Sequence, residues 1–268
     1  MTRKTVAIAG LGAIGKEIAD ALDRGLPGLK LVAVSDVNAD RVRELTQPYK
    51  EPPKLVPLAE LTSADIVVEA MPPSLFEQIA RPAIEAGCTF VPCSVGALLG
   101  KPELIGLAAK TGARIIAPTG AIAGLDAIRA ICQENVDEIV LKSRKPPVGF
   151  IGVSYVESLG IDIGKISEPT MLFRGNASDA CKHFPANANV AGALALAGVG
   201  PAKTVVEIWA DPGVTRNIHA ITARSPSVNL SIAVENVPSE TNPKTSRLAP
   251  LSILACLAGL AGTLKVGS

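Results

Sequence analysis

The first residues of the chain restrict what it can fold into. Thr5 to Gly15 reads TVAIAGLGAIG, an apolar run that breaks into Gly10, Gly12 and Gly15. A strand, a glycine turn and a helix in that order open a dinucleotide-binding βαβ unit, in which each glycine has a mechanical task. Gly10 permits the tight turn, Gly12 lets the backbone approach a pyrophosphate, and Gly15 lets the helix pack close to its strand. The helix starts with Ala13 and Ile14. Its first N–H groups and the positive end of its dipole would meet the phosphates.

The residues that follow strengthen this assignment. Ile14, Ile18, Ala21 and Leu22 recur at helical spacing, and Gly25, Pro27 and Gly28 end the helix. A second apolar run, Leu29 to Val34, stops at Ser35 and Asp36, where a carboxylate at the strand tip can take the adenosine ribose hydroxyls. The charge of Asp36 opposes a 2′-phosphate and favours NAD, whereas Arg41 and Arg43 lie close enough to keep NADP open. Asp36 has a second reading as the cap of the next helix.

Strands and helices continue to alternate through Asp65–Glu69, Leu75–Ala86, Thr89–Pro92, Lys101–Lys110 and Arg114–Ala117. That order predicts an α/β fold with a doubly wound parallel sheet of the Rossmann type. The pattern changes near Pro118. Gly120–Ile131 reads as a glycine-led helix and Asn187–Leu196 as a second helix, among strand-like segments at Glu138–Arg144, Val205–Ala210, Asn217–Thr222 and Val228–Val234. These predict an inserted α+β domain over 120–240, with a nucleotide-binding domain built from 1–119 and 241–268. The return is marked by NPKTS at 242–246, with Thr245 or Ser246 as a helix cap, and by the apolar stretch Leu248–Leu264. That stretch is marginal for a bilayer and reads as a buried helix packed on the sheet.

Composition removes several functions. A formal net charge of +1, 19% charged residues and 3% aromatics leave neither a basic field nor a stacking platform for nucleic acid. The N-terminus does not read as a signal peptide, because the apolar run at Val6 leads straight into the glycine turn. Cys88, Cys93, Cys132, Cys181 and Cys256 form no CxxC pair, which predicts reduced thiols, no metal site and a cytoplasmic location. Cys93, at a strand end on the cofactor edge, reads first as a small core residue and second as a reactive thiol.

Five motifs can be taken together: AGLGAIG at the start, TGAIAGLDAI at 119–128, HFPANANVAGALALAG at 183–198, DPGVTRNIHAI at 211–221 and NPKTSRLAPLS at 242–252. The set resembles the L-aspartate dehydrogenases, NAD(P)-dependent enzymes that convert aspartate to iminoaspartate. The likeness runs over almost the whole chain. It implies a split Rossmann domain, a homodimer, L-aspartate as substrate, and reductive amination of oxaloacetate with ammonia in reverse. It also implies a supply of iminoaspartate to NAD biosynthesis. By the resemblance, His219 matches the family's active-site histidine. Ala123 and Asn189 match its cofactor contacts beyond the glycine turn. Two other readings stand beside this one: a reductase of the dihydrodipicolinate reductase or homoserine dehydrogenase type, and a nucleotide sensor without turnover.

The chain has two histidines. His219 lies in NIHAITA with Ile218 and Ala220 pointing the other way; from the residues alone it reads as a hydrogen-bonded wall residue, from the resemblance as the catalyst. His183, beside Lys182, reads as a surface residue. Aspartate arrives as an ammonium, and only its neutral amine can expel the Cα hydride, so a group titrating near neutrality assists. Candidates for the substrate carboxylates are Lys142, Arg144 and Lys145 at one strand end, and Lys165, Arg174, Arg216, Lys244 and Arg247 elsewhere.

Overall fold

The computed structural model describes residues 3–185, 188–239 and 246–267. It comprises two compact units: Met1–Pro118 with Pro250–Ser268, and Thr119–Ala249.

The first unit holds a six-stranded sheet of order β3-β2-β1-β4-β5-β6, every pair parallel. Its elements are β1 (Lys4–Ala9), α1 (Ala13–Gly25), β2 (Leu29–Ser35), α2 (Ala39–Thr46), β3 (Lys54–Leu55), β4 (Ile66–Glu69), α3 (Phe76–Glu85), β5 (Thr89–Pro92), α4 (Pro102–Thr111) and β6 (Arg114–Ile115). Val6, Ala7, Ile8 and Ala9 of β1 are all buried, because helices cover both faces of the sheet. Alternate residues serve two core layers. One gathers Ala7, Val67, Phe76, Ile79, Phe90 and Leu104, with Phe76 and Phe90 edge to face at 5.7 Å. The other gathers Val6, Ile8, Ile18, Leu22, Ile253 and Leu257.

The last two residues of that second layer come from the returning C-terminal helix, Leu248–Ala261. The stretch is helical as expected, but it is not buried all round. Pro250, Ile253 and Leu257 form its buried stripe, while Leu251 on the far side is 50% exposed. A helix laid on the outside of a sheet layer has only one side to bury, whatever its composition. No helix among the described residues is long and apolar enough to cross a membrane.

The second unit holds α5 (Leu125–Ile131), β7 (Glu138–Lys145), α6 (Ser154–Ser158), β8 (Thr170–Asn176), α7 (Ala177–His183), α8 (Asn189–Ala197), β9 (Val205–Ala210), β10 (Asn217–Arg224) and β11 (Asn229–Asn236); the returning helix is α9. The five strands order as β11-β10-β7-β9-β8; β7 and β9 run parallel and the other pairs are antiparallel. Alternate residues of β7, β9 and β10 are buried, which is the period-two pattern of a sheet with one covered face.

The predicted helix over 120–131 starts later than its glycine signal suggested. Gly124 sits at φ +77°, in the left-handed region, so regular helix begins only at Leu125. His183 is half-buried and ends α7 rather than lying in a loop. Its ring lies 4.2 Å from Tyr155, beside Phe173, in an aromatic cluster with Phe184 and Phe150. The segment Pro147–Asn176, unassigned in the sequence, contributes β8, where the register shifts between Met171 and Phe173. The NPKT turn and the Thr245 cap lie outside the described residues.

Candidate functional site

The glycine turn is built as its spacing requires. Gly10 takes φ +92°, and a Cβ there would lie 2.5 Å from the Ala70 carbonyl oxygen. A Cβ on Gly15 would lie 1.8 Å from the Gly10 carbonyl oxygen, so the helix and the turn touch where no side chain fits. Gly12 is different: a Cβ on it would meet nothing within 4 Å. The protein does not use that space. A glycine at this place in a dinucleotide-binding turn leaves the backbone open to close approach.

Gly12 caps α1 without a side-chain hydrogen bond, and the first turn carries no acidic residue. The first N–H groups of α1 therefore receive no side-chain acceptor from the cap, and an anion suits a helix N-terminus of this kind. Ala13 is exposed and Ile14 packs against the core. Asp36 braces the same turn: its Oδ2 accepts from Leu11 N at 2.7 Å and its Oδ1 from Asn38 N at 3.1 Å. The cap of α2 is Asn38, whose Oδ1 accepts from Arg41 N at 3.0 Å, so Asp36 does not have that duty. Arg41 reaches back to donate to the Leu11 carbonyl at 3.4 Å.

Further along this carboxyl edge lies Glu69, fully buried at the end of β4. Its Oε1 accepts from Met71 N at 3.1 Å and Ser94 Oγ at 3.1 Å, and its Oε2 accepts from Ser94 N at 2.9 Å. One carboxyl thus fastens the loops after β4 and β5. Burial raises its pKa against the lowering effect of these bonds. Cys93 beside it packs against the core, and burial followed by the Glu69 charge pushes its thiol well above the usual range. Both features fit its reading as a small core residue. Glu69→Ala leaves three donors without their acceptor, and thermal unfolding should show a loss on the order of 3 kcal/mol.

In the second unit the register pairs His219 of β10 with Ser143 of β7, and Ile221 with Leu141. His219, Ser143 and Lys145 therefore share the buried face of the sheet. His219 Nδ1 lies 2.8 Å from Ser143 Oγ. His219 is 2% exposed and Lys145 4% exposed. Burial first, and then the positive charge of Lys145, push the His219 pKa from 6.5 to about 3. Burial alone brings Lys145 from 10.5 to about 8. The expectation that His219 titrates near neutrality is thus corrected: in this environment the imidazole stays neutral, and the lysine carries the near-neutral titration.

The other cations are engaged or exposed. Arg144 pairs with Asp211, donating from Nε at 2.9 Å, and its guanidinium holds that carboxyl below the usual range. Lys142 lies over the Trp209 ring at 4.5 Å, Arg174 pairs with Glu207 at 3.4 Å and Lys165 with Asp162 at 3.1 Å. Arg216 and Arg247 are exposed, and Lys244 lies outside the described residues.

Ala123 is exposed in a loop held from two sides. Asn236 Nδ2 donates to the Ala121 carbonyl at 2.9 Å, and Gly124 passes so close to Ile232 that a Cβ would lie 2.0 Å from its Cδ1. Asn189 is the first residue of α8. The structure groups Gly10, Gly12, Ala13, Ile14, Gly15 and Asp36 at one turn of the first unit, and sets His219, Ala123 and Asn189 on the second.

Comparison with known proteins gives these features a family. The family model described as "Aspartate dehydrogenase, C-terminal" matches residues 126–260, and "Homoserine dehydrogenase, NAD binding domain" matches residues 10–118. The chain is 44% identical over 265 residues to L-aspartate dehydrogenase 3 of Bordetella bronchiseptica, covering 98% of this chain and 97% of that one. It is 46% identical over 264 residues to L-aspartate dehydrogenase of Bradyrhizobium diazoefficiens, covering 98% and 94%. The chain belongs to the aspartate dehydrogenase family. Among solved structures, aspartate dehydrogenase from Thermotoga maritima superposes with a TM-score of 0.75 at 26% identity, covering 99% of this chain and all of that one.

Family membership agrees with the sheet of the first unit and with its nicotinamide-nucleotide type of glycine turn. Three residues in this aspartate dehydrogenase fold escaped the sequence reading: Glu69, Ser143 and Asn236. Each binds a partner far away in the chain, so no local spacing marks it. The one available signal was a charged or polar residue closing an apolar run, as Glu69 closes IVVE. Among the described residues, no group of three or more His, Cys, Asp and Glu side chains could hold a metal ion.

Proposed function

We propose that this chain is an L-aspartate dehydrogenase, oxidising L-aspartate to iminoaspartate, which hydrolyses to oxaloacetate and ammonia, and running the reductive amination in reverse. The observation that carries this reading is the near-full-length likeness to L-aspartate dehydrogenases. A nicotinamide nucleotide, when bound, supplies the hydride acceptor. The protein's residues do the rest. Gly10, Gly12 and Gly15 bring backbone N–H groups to the pyrophosphate, with Ala13 and Ile14 at the helix start and Asp36 at the ribose. Ala123 and Asn189 contribute further nucleotide contacts from the second unit. His219, its ring fixed by Ser143, offers its remaining nitrogen to the substrate as a neutral hydrogen-bonding partner.

NAD is the preferred nucleotide on this reading, because the Asp36 carboxylate opposes a 2′-phosphate. Asp36→Ser removes that charge while Arg41 stays at the turn. The ratio of kcat/KM for NADP to that for NAD should rise by about tenfold or more, the equivalent of about 1.4 kcal/mol. An unchanged ratio would mean that Asp36 only braces Leu11 and Asn38.

The working form is a homodimer. The half-exposed side of the second sheet supports this, since it carries Val140, Trp209, Ile218 and Ala220, with Met171 46% exposed. Light scattering on the eluted protein tests it. The five free thiols suit a reducing compartment, and we place the enzyme in the cytoplasm, feeding iminoaspartate to nicotinamide-cofactor synthesis.

The deciding assay follows the near-ultraviolet absorbance of reduced nicotinamide with NAD and then NADP against L-amino acids and homoserine, beside oxaloacetate plus ammonia in reverse. Reduction with aspartate alone establishes the activity. Reduction with homoserine instead would favour the reading suggested by the domain match over residues 10–118. Nucleotide binding with no turnover would favour a sensor.

A further inference from the structure

The buried face of the second sheet is apolar through Ile139, Leu141, Ile221 and Ala223, and then turns polar at one end. Ser143, Lys145, Asn217 and His219 are all buried there. Asn217 Nδ2 reaches Ser246 Oγ at 3.4 Å, and Ser143 reaches His219. A lysine is rarely placed this deep without a task, because the charged head group loses its hydration. The stem of Lys145 lies under the turn at Gly149, where a Cβ would be 3.9 Å from its own Cβ, and Phe150 beyond is fully buried. Among the described residues, the titratable or charged groups beside it include His219 on β10 and the Arg144–Asp211 pair, which ties the preceding residue to the turn after β9. Of the described cations considered for substrate contact, Lys145 is the one that is buried, and it stands beside the histidine of the DPGVTRNIH motif.

We propose that Lys145 is the base that takes the ammonium proton from the amino-acid substrate, with His219 as its neutral partner. The proposal rests on the aspartate dehydrogenase reading above and assigns the proton step within it. The neutral ε-amine takes one proton from the substrate ammonium and becomes an ε-ammonium. The lone pair freed on the substrate nitrogen forms the C=N bond while the Cα–H bond breaks, its electron pair leaving as hydride for C4 of the oxidised nicotinamide. An iminium product and the reduced nucleotide result, and the proton on Lys145 passes to solvent after release. The imidazole of His219 is a poorer candidate for this proton: it is held far below the range of an ammonium, and one nitrogen is already bonded to Ser143.

The test compares wild type, Lys145→Met and Lys145→Ala. In the wild type, kcat/KM for aspartate should rise with pH through about 8, the free-protein value for Lys145. Lys145→Met should lose ~10²–10⁴-fold in kcat/KM and lose that limb, with NADH binding by fluorescence unchanged. Lys145→Ala should be partly rescued by small primary amines in the buffer, which a purely structural role would not allow. In the protein without ligands, the Lys145 Cε resonance, assigned by its loss in Lys145→Met, should titrate near 8 by carbon NMR. A midpoint at about 10, the ordinary lysine value, would overturn the proposal. So would an intact pH limb in Lys145→Met, or a rise in KM with kcat unchanged, which would make Lys145 a carboxylate anchor. A wild type inactive on every amino acid would instead overturn the aspartate reading, and the proton assignment with it.

Discussion

His219→Ala should reduce aspartate turnover by ~10²–10³-fold, the scale of a lost hydrogen bond to the reacting centre, while leaving NADH affinity within about twofold of wild type. The expectation follows from where the residue sits. His219 belongs to the second unit, and the glycine turn and Asp36 belong wholly to the first. Nucleotide affinity set at that turn does not depend on an imidazole in β10. Steady-state kinetics and fluorescence titration of NADH on the same preparation read the two quantities. Equal loss of both would make His219 a structural residue. Because the variant also removes the partner of Ser143 Oγ, His219→Gln serves as the second measurement: it keeps a polar side chain beside Ser143 and should recover stability without recovering rate.

The same histidine has a signature in stability. Its pKa in the folded protein, about 3, lies below its ordinary 6.5. The unfolded chain therefore binds a proton that the folded one refuses. The corresponding stability is complete above pH 6.5 and declines as pH falls toward about 3. His219→Gln should flatten that part of the Tm-against-pH curve. A curve that keeps its full slope in the variant would assign the acid sensitivity to other groups.

A second large effect is expected at the glycine turn, where two substitutions by alanine should behave in opposite ways. Gly15→Ala places a Cβ 1.8 Å from the Gly10 carbonyl oxygen, a backbone atom with no room to yield. Helix and strand must part, at a cost of ~1–3 kcal/mol or more, and nucleotide binding should be lost with the geometry of the turn. Gly12→Ala meets no protein atom within 4 Å. That variant should unfold within a few degrees of wild type yet bind NADH about tenfold or more weakly, since its methyl occupies the space the pyrophosphate needs. Differential scanning calorimetry paired with NADH titration separates the two. If Gly12→Ala bound NADH as wild type does, the open space at this turn would not be the phosphate site.

The contrast between those glycines also explains what could be read from the sequence. The first unit was legible because its signals are local: a turn that only glycine fits, a helix stopped by Gly25, and an acidic residue at a strand tip all declare themselves within a few residues. The second unit resisted because its geometry is made across the sheet. Strand β8 was missed since a register shift at Met171–Phe173 and a glycine at 175 break its alternation. His219 was visible as a residue, but its neutrality comes from Ser143 and Lys145 on a strand 74 to 76 positions away. The same distance hid the burial of Lys145, which in the sequence looks like one more cation at a strand end. The ring contacts of His183 were hidden for a related reason: its aromatic neighbours Tyr155 and Phe173 precede it by a helix and a strand.

One connection bears on how the protein is made. The ammonium of Lys4, in the first strand, donates to the carbonyl of Leu260 in α9 at 2.9 Å, and Ile253 and Leu257 complete the layer that Val6 and Ile8 begin. During synthesis, the ribosome delivers all of residues 119–249 before α9 emerges to cover that layer. The nascent nucleotide unit therefore waits with one side of its core uncovered, open to chaperones and proteases, until the last helix arrives.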